Sequence, residues 1–368
     1  MGRITRENMT TNTLTLCVIT LYMISFRLTT AEFSGNTTTM FVFGDSLYDG
    51  GMTFYSGIKG AGAEFWPYGN THFRKPAGRY CDGRLIPDFL AQYAGLPFPE
   101  PYLKPGFTDY AKGVNFAAAG ACVLVELRPN TIYLKRQIKY FVEMIPKLEG
   151  QIGKEETKTL LSKAVYLLNI AGNDYVTLFQ NNMGKTISPS RKRQFVNQIM
   201  GNITIHLKKI YSLGGRKFAF QNVGPLGCMP SMKYMLGFKG LCHEETLEIA
   251  KMHNAAFLTF AKKWEIQFPG FKYSIHDFHG SLYSRVLQPE KFGFKEGQTG
   301  CCGSGDYHGD FTCQKRGKSF SVCSNPNDYL WFDAAHPTDM ANQQFSRDFW
   351  SGDSDVVSPL NLQTLFAL

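Results

Sequence analysis

Two short segments far apart in the chain carry side chains that together could act as a nucleophile and its base. The first, 41–49, reads FVFGDSLYD and places Ser46 in a Gly-Asp-Ser turn after apolar residues typical of a buried strand. The second contains Asp333 and His336, whose spacing puts both side chains on one face of a turn. There the carboxylate can orient the imidazole, and the imidazole can deprotonate Ser46. The spacing therefore predicts a Ser-His-Asp triad.

The chemistry requires Ser46 to lie where a parallel strand ends. Gly44 lets the backbone turn sharply after the strand. A helix that begins behind the serine would direct backbone N–H groups toward a developing oxyanion. We therefore expect a strand, a turn and a helix N-terminus in this order, although Gly-Asp-Ser alone is also ordinary turn sequence.

Four ordered blocks give the chain a resemblance to a known family. They are the Gly-Asp-Ser-Leu of 44–47, the VNFAAAG of 114–120, Asn173-Asp174, and the Asp-x-x-His-Pro of 333–337. Together they are similar to the secreted plant branch of the GDSL (SGNH) esterase/lipase family, from about residue 39 to about residue 349. The resemblance implies an SGNH-hydrolase-like fold, a three-layer α/β/α sandwich with a central, mostly parallel sheet.

The resemblance also implies the roles of five residues. Ser46, Asp333 and His336 would be catalytic, and Ser46, Gly120 and Asn173 would form the oxyanion hole. Two backbone N–H groups and the Asn173 amide would then stabilise the tetrahedral oxyanion. No metal and no organic cofactor is expected.

The activity that the resemblance implies is hydrolysis of carboxylic esters, with a small-molecule or lipid ester as substrate. The sharper likeness is to GDSL lipases of plant defence. Two alternatives stay open: an acyltransferase that uses the same triad, and a catalytically weak or inactive binding protein of the myrosinase-associated type. A protein partner such as a myrosinase complex belongs to the second alternative. We expect a monomer.

Apolar strands that alternate with helical patterns predict the elements around these residues. The continuous apolar run 164–170 is typical of a central parallel strand, which would deliver Asn173 to the carboxyl edge of the sheet. Helical spacing covers 191–213 and 244–268, and the next strand is expected at 217–221. The alternation favours a doubly wound α/β sheet.

One departure from the family pattern falls beside Asn173. The family usually has Gly-x-Asn-Asp, whereas this chain has Ala171-Gly172-Asn173-Asp174. If the first position needs a positive φ, Ala171 is strained; otherwise the turn has shifted by one residue. The departure therefore bears directly on the aim of the Asn173 amide.

The N-terminus has the pattern of a targeting segment. Arg3 and Arg6 precede an apolar run from Leu14 to Phe26, and small residues near Ala31 suit cleavage. We expect a signal peptide over 1–31, a single GDSL/SGNH hydrolase domain over 32–368, and secretion, with the vacuole or endoplasmic reticulum bodies as alternatives. Cleavage removes three of 39 basic and one of 30 acidic residues, which leaves a net charge of +7. This charge is compatible with cell-wall or membrane-surface contact, but the basic residues are scattered and no nucleic-acid module is evident.

The cysteines and sequons agree with an oxidising compartment. Of nine cysteines, Cys17 leaves with the signal peptide. The four between 301 and 323 indicate a disulfide-stapled loop; Cys228 and Cys242 form a second plausible pair, while Cys81 and Cys122 suit free, buried thiols. Asn36 and Asn202 are candidate glycosylation sites. A metal site at His276 and His279 is the minor interpretation, because no third ligand is near in sequence.

Overall fold

The core of the molecule is a seven-stranded sheet in the part of the chain that the structure describes. The computed structural model describes residues 38–58, 62–182 and 185–368. The strands are β1 (Met40–Gly44), β2 (Glu100–Pro101), β3 (Val114–Asn115), β4 (Val165–Asn169), β5 (Lys217–Gln221), β6 (Lys272–His276) and β11 (Val357–Pro359). Their order in the sheet is β11-β6-β5-β4-β1-β3-β2, and all neighbours are parallel except β11 and β6.

Side chains alternate between the two faces of this sheet because successive residues of a strand point in opposite directions. In β1, Phe41 and Phe43 belong to one apolar cluster, whereas Met40 and Val42 belong to the other. Each cluster is completed by helices, so the sheet is buried on both sides. This is the three-layer α/β/α arrangement that the family resemblance implied.

The helices divide between the two faces. The first face is covered by α3 (Leu134–Ile152), α4 (Lys154–Lys163), α5 (Gly172–Asn181), α6 (Pro189–Ser212) and α8 (Glu244–Gln267). The second is covered by α2 (Ile86–Tyr93), α9 (Phe278–Leu287), α10 (Asp339–Ser351) and α11 (Leu362–Ala367). Two short helices, α1 (Met52–Tyr55) and α7 (Pro230–Met235), lie in loops after strands. None of the helices in the described ranges is long and apolar enough to cross a membrane.

The expected elements agree closely with the observed ones where the apolar pattern is long. The strand expected at 164–170 is β4, between β1 and β5 in the centre of the sheet. The predicted helices over 191–213 and 244–268 are α6 and α8, and the strand at 217–221 is β5. Four short strands lie outside the main sheet: β7 (Glu296–Gly300) pairs with β10 (Tyr329–Trp331), and β8 (Cys302–Gly303) pairs with β9 (Ser321–Val322).

The cysteines pair as two staples and one separate bridge. Disulfides join Cys301 to Cys323, Cys302 to Cys313, and Cys228 to Cys242. Cys81 and Cys122 are free and buried. The predicted stapled loop and the predicted second pair are both present, and the structure supplies the connectivity inside the loop that spacing alone left open. The predicted signal peptide, its cysteine and Asn36 lie outside the described residues.

Candidate active site

Ser46 and His336 meet at the carboxyl edge of the sheet. The Ser46 hydroxyl lies 2.7 Å from Nε2 of His336. On the other side of the ring, Nδ1 lies 2.7 Å from one carboxylate oxygen of Asp333 and 2.9 Å from the other. Hydroxyl, imidazole and carboxylate thus form one continuous chain, which can move a proton from the serine to the ring.

Asp333 is buried and held by several donors. Its carboxylate accepts the backbone N–H groups of Ala335 and His336, both at 2.9 Å, which explains why a spacing of three residues brings the two side chains together. Gln314 Nε2 donates to the same carboxylate at 3.0 Å. Burial alone would raise the pKa of Asp333, but the charge and hydrogen bond of His336, with those from Gln314 and Ala335, lower it to about 2. The carboxylate is therefore ionised at any physiological pH.

Tyr68 is a contributor that the sequence patterns did not identify. Its hydroxyl donates to Asp333 at 2.7 Å, and the side chain is fully buried. Aromatic side chains of the Trp-Pro-Tyr-Gly segment, 66–69, could either line an acyl pocket or pack on the core. For Tyr68 the packing interpretation is correct, whereas Trp66 is 57% exposed and stacks against Phe320. Of these two aromatic residues Tyr68 is the one that binds Asp333, and no local pattern distinguishes it from its neighbours.

The expected helix behind Ser46 is absent, and this prediction was wrong. Residues 45–49 form a turn in which Tyr48 N–H donates to the Asp45 carbonyl at 3.1 Å and Leu47 N–H donates to the Asp45 carboxylate at 3.1 Å. Asp49 then accepts from Gly51 and Met52 N–H, so the first helix begins only at Met52. Two acidic side chains that bind the following backbone favour a turn over helix initiation at the serine.

The oxyanion candidates surround the same space as Ser46. Ser46, Gly120, Asn173 and His336 line one cavity of about 420 Å³. The N–H of Ala119 is bound by Asp49 and by Thr53, whereas the N–H groups of Ser46 and Gly120 have no acceptor among the described residues. Two backbone donors are thus free for a ligand beside the nucleophile.

Asn173 follows a strained residue. Ala171 has φ 93° and ψ −15°, a left-handed conformation that costs an L-residue about 1–2 kcal/mol. Of the two alternatives, strain rather than a shifted turn is therefore the one observed. Ala171 is the N-cap of α5, so Asn173 lies in the first turn of that helix and reaches the cavity.

A second, smaller cavity adjoins the first. It is lined mainly by apolar side chains, among them Leu47, Leu226, Phe278 and Trp331, and its polar lining includes Asp45 and Asn169. Met229 and Ala335 line both cavities. Burial raises the pKa of Asp45 to about 6, so this carboxyl takes up its proton at a higher pH than an exposed aspartate does. The site thus combines a wide space of mixed polarity with a smaller apolar one.

Two further candidates from the sequence, the metal site at His276 and His279 and the glycosylation site at Asn202, are not part of this cavity. The ring nitrogens of His276 have no hydrogen-bond partner, and no group of three potential metal ligands occurs among the described residues. Asn202 lies within α6, half-buried, with its amide bonded to the Gln198 carbonyl at 2.9 Å. Its glycosylation stays a prediction.

A parallel α/β sheet with a serine, a histidine and an aspartate joined at its carboxyl edge is the arrangement of serine hydrolases. The family model described as GDSL-like lipase/acylhydrolase matches residues 40–349, and the chain belongs to this family of carboxylic ester hydrolases. It is 41% identical to GDSL esterase/lipase 1 of Arabidopsis thaliana, with 90% of this chain and 91% of the relative covered.

Two further relatives show the range of the family around this chain. A GDSL lipase of Tanacetum cinerariifolium is 39% identical, with 90% of this chain and 89% of the relative covered. Inactive GDSL esterase/lipase-like protein 25 of Arabidopsis thaliana is 36% identical, with 90% of this chain and 75% of the relative covered. Relatives of similar identity are thus named as a lipase and as an inactive protein, and the geometry of this chain's own site bears on whether it turns over substrate.

Proposed function

We propose that the chain is an active serine esterase/lipase in which Ser46 is the nucleophile, His336 the base and Asp333 the group that orients the base. The observation that carries the proposal is the 2.7 Å contact between the Ser46 hydroxyl and Nε2 of His336. A weak or inactive binding protein would not need this alignment or a buried, ionised Asp333. Membership of the family gives the reaction class, carboxylic ester hydrolysis.

In the proposed mechanism, the Ser46 oxygen attacks the ester carbonyl while its proton passes to Nε2 of His336. The negative charge that develops on the carbonyl oxygen is met by the N–H groups of Ser46 and Gly120 and by the Asn173 amide. His336 then protonates the departing alkoxide, which leaves an acyl group on Ser46. Water, activated by the same imidazole, attacks this acyl-enzyme and releases the acid. Asp333 stays ionised and stabilises the imidazolium in both halves of the reaction.

The two cavities support the substrate assignment at the level of a class. The apolar walls of the smaller space suit the hydrocarbon part of an ester, and the wider space leaves room for a second, more polar part. Secretion, a monomeric state and a role in plant defence remain part of the proposal and rest on the N-terminal pattern and the family resemblance.

The proposal is tested with p-nitrophenyl acetate and p-nitrophenyl butyrate, together with labelling by a fluorophosphonate probe. The wild-type protein should hydrolyse both esters and be labelled. Ser46→Ala should abolish turnover and labelling, because Ser46 is the nucleophile of the proposed mechanism. Ser212→Ala, a change at an exposed serine whose hydroxyl donates to the Lys209 carbonyl of its own helix, should preserve both. A folded wild-type protein that neither reacts nor labels would overturn the proposal and favour the binding-protein alternative.

A further inference from the structure

Arg128 contacts the part of the site where the oxyanion would lie. Its guanidinium donates from Nη1 to Oδ1 of Asn173 at 3.1 Å and from Nε to the Thr177 hydroxyl at 2.9 Å. Asn173 and Thr177 lie four residues apart on α5, so they share one face of that helix. A Cβ built on Gly120 would lie 3.6 Å from Nη1, and the arginine itself lines the main cavity.

The chemistry of arginine determines which end of the Asn173 amide faces the cavity. A guanidinium has only donors, so the atom that receives its N–H must be the amide oxygen. The amide nitrogen is then held on the other side, where it donates one hydrogen to the Ala121 carbonyl at 3.1 Å. Its second hydrogen is left for a ligand. Arg128 and the Ala121 carbonyl thus favour the same orientation of the amide, and Arg128 is the group that binds its oxygen.

The same loop is bound to α5 by a second, independent contact. The carboxylate of Asp174 accepts the N–H groups of Val123 and Leu124, both at 2.9 Å. The loop that carries Gly120 and the helix that carries Asn173 are therefore joined at two points, by Asp174 and by Arg128. The Asp174 contact sets the distance between loop and helix, but it does not touch the Asn173 amide, which is bound by Arg128 and by the Ala121 carbonyl.

The geometry points to Arg128 as a positioning residue that holds the Asn173 amide with its N–H toward the oxyanion. This inference rests on the proposed function, in which Asn173 is an oxyanion donor. Arg128 acts on the reaction through Asn173 and has no role in proton transfer.

A double-mutant cycle on the full protein tests the inference with p-nitrophenyl butyrate. Asn173→Ala is expected to lower kcat on the order of 10²-fold to 10³-fold, the usual effect of losing an oxyanion donor. Arg128→Met should lower kcat on the order of 10-fold to 10²-fold with little change in KM. In the double variant, Arg128→Met should add nothing to the loss caused by Asn173→Ala, because its effect passes through that amide.

Arg136→Met is the matched control. Arg136 is an exposed arginine of α3 that binds Tyr140 rather than the site, and this change should leave kcat at the wild-type value. Effects of Arg128→Met and Asn173→Ala that simply multiply would overturn the inference, as would an Arg128→Met variant with wild-type kcat.

A crystal structure of the Arg128→Met variant provides a readout that does not depend on turnover. We expect the Asn173 amide to be rotated away from its wild-type orientation, while the Asp174 contacts to Val123 and Leu124 persist. An unchanged amide would overturn the inference. If the wild-type protein fails to hydrolyse esters or to react with the fluorophosphonate, the proposed function fails, and the orientation of the amide still decides the role of Arg128.

Discussion

Ala171 shows how one residue can conflict with the backbone that the fold requires. Its φ of 93° is the left-handed conformation that glycine adopts readily, yet the residue is an alanine and is fully buried. The residue precedes α5, and its carbonyl accepts from Asp174 N–H at 3.1 Å. The turn is therefore maintained by the surrounding contacts, and the strain is localised beside the oxyanion candidate Asn173.

This strain can be measured by comparing two buried alanines. Ala171→Gly should lower the free energy of unfolding less than Ala250→Gly does, or even raise it. Ala250 is a fully buried alanine inside α8. Both changes remove a buried methyl group and increase the freedom of the unfolded chain, so these contributions largely cancel. The remaining difference is the strain, about 1–2 kcal/mol in favour of Ala171→Gly. Denaturant unfolding measures both variants, and equal losses of stability would show that Ala171 is unstrained.

At the scale of elements, the stapled loop connects the disulfides to the triad. Cys313 is bonded to Cys302, and its neighbour Gln314 donates to Asp333 at 3.0 Å. The loop also contributes Phe311 to the main cavity. The Cys302–Cys313 disulfide therefore helps to hold Gln314, one of the donors to the buried Asp333 carboxylate.

The double change Cys302→Ala with Cys313→Ala should affect both stability and rate. The chain-entropy estimate for a loop of this length is a loss of about 3 kcal/mol in the free energy of unfolding. A loosened Gln314 should also lower kcat about tenfold, which corresponds to one charge-assisted hydrogen bond of about 1.5 kcal/mol. Urea unfolding and p-nitrophenyl butyrate kinetics measure the two effects.

Gln314→Leu separates these two effects, because it removes the donor and keeps the disulfide. We expect the same fall in kcat with a much smaller loss of stability. If the double cysteine variant keeps its wild-type kcat, the staple does not support the active site.

At the scale of the whole molecule, burial on both faces of the sheet forces several ionisable groups out of water. His276 ends β6, is fully buried, and stacks on Phe349 with ring centroids 5.0 Å apart. Burial, and then the charge of Arg285, lowers the pKa of His276 to about 3. The folded chain therefore keeps this ring neutral at a pH where the unfolded chain would protonate it.

His276 should make the fold sensitive to acid. Because its folded pKa lies below the unfolded value of about 6.5, the unfolded state binds a proton that the folded state excludes, and stability is lost as the pH falls below about 6.5. His276→Phe should remove this loss. The variant should therefore gain about 2–3 kcal/mol relative to wild type on going from pH 7.5 to pH 4.5. Packing changes caused by the larger ring are independent of pH and cancel in this comparison.

Unfolding free energies of both proteins at the two pH values measure the difference. Parallel pH dependences would mean that His276 titrates alike in the folded and unfolded chains.

The sequence by itself determined the candidate residues of the proposed site and most of the elements that carry them. Ser46, Asp333 and His336 could be predicted because their patterns are local: an apolar strand before a turn, and a carboxylate three residues before an imidazole. β4, β5, α6 and α8 could be predicted because a buried strand or an amphipathic helix repeats its apolar residues regularly.

Tertiary structure decided the contacts that join distant segments. Tyr68, Gln314 and Arg128 reach Asp333 or Asn173 from separate loops, and nothing in their local sequence distinguishes them from neighbouring polar or aromatic residues. The positive φ of Ala171 was likewise settled by competition between local preference and the packing around it. Such outcomes depend on which groups meet across the fold, and a pattern within one segment does not contain that information.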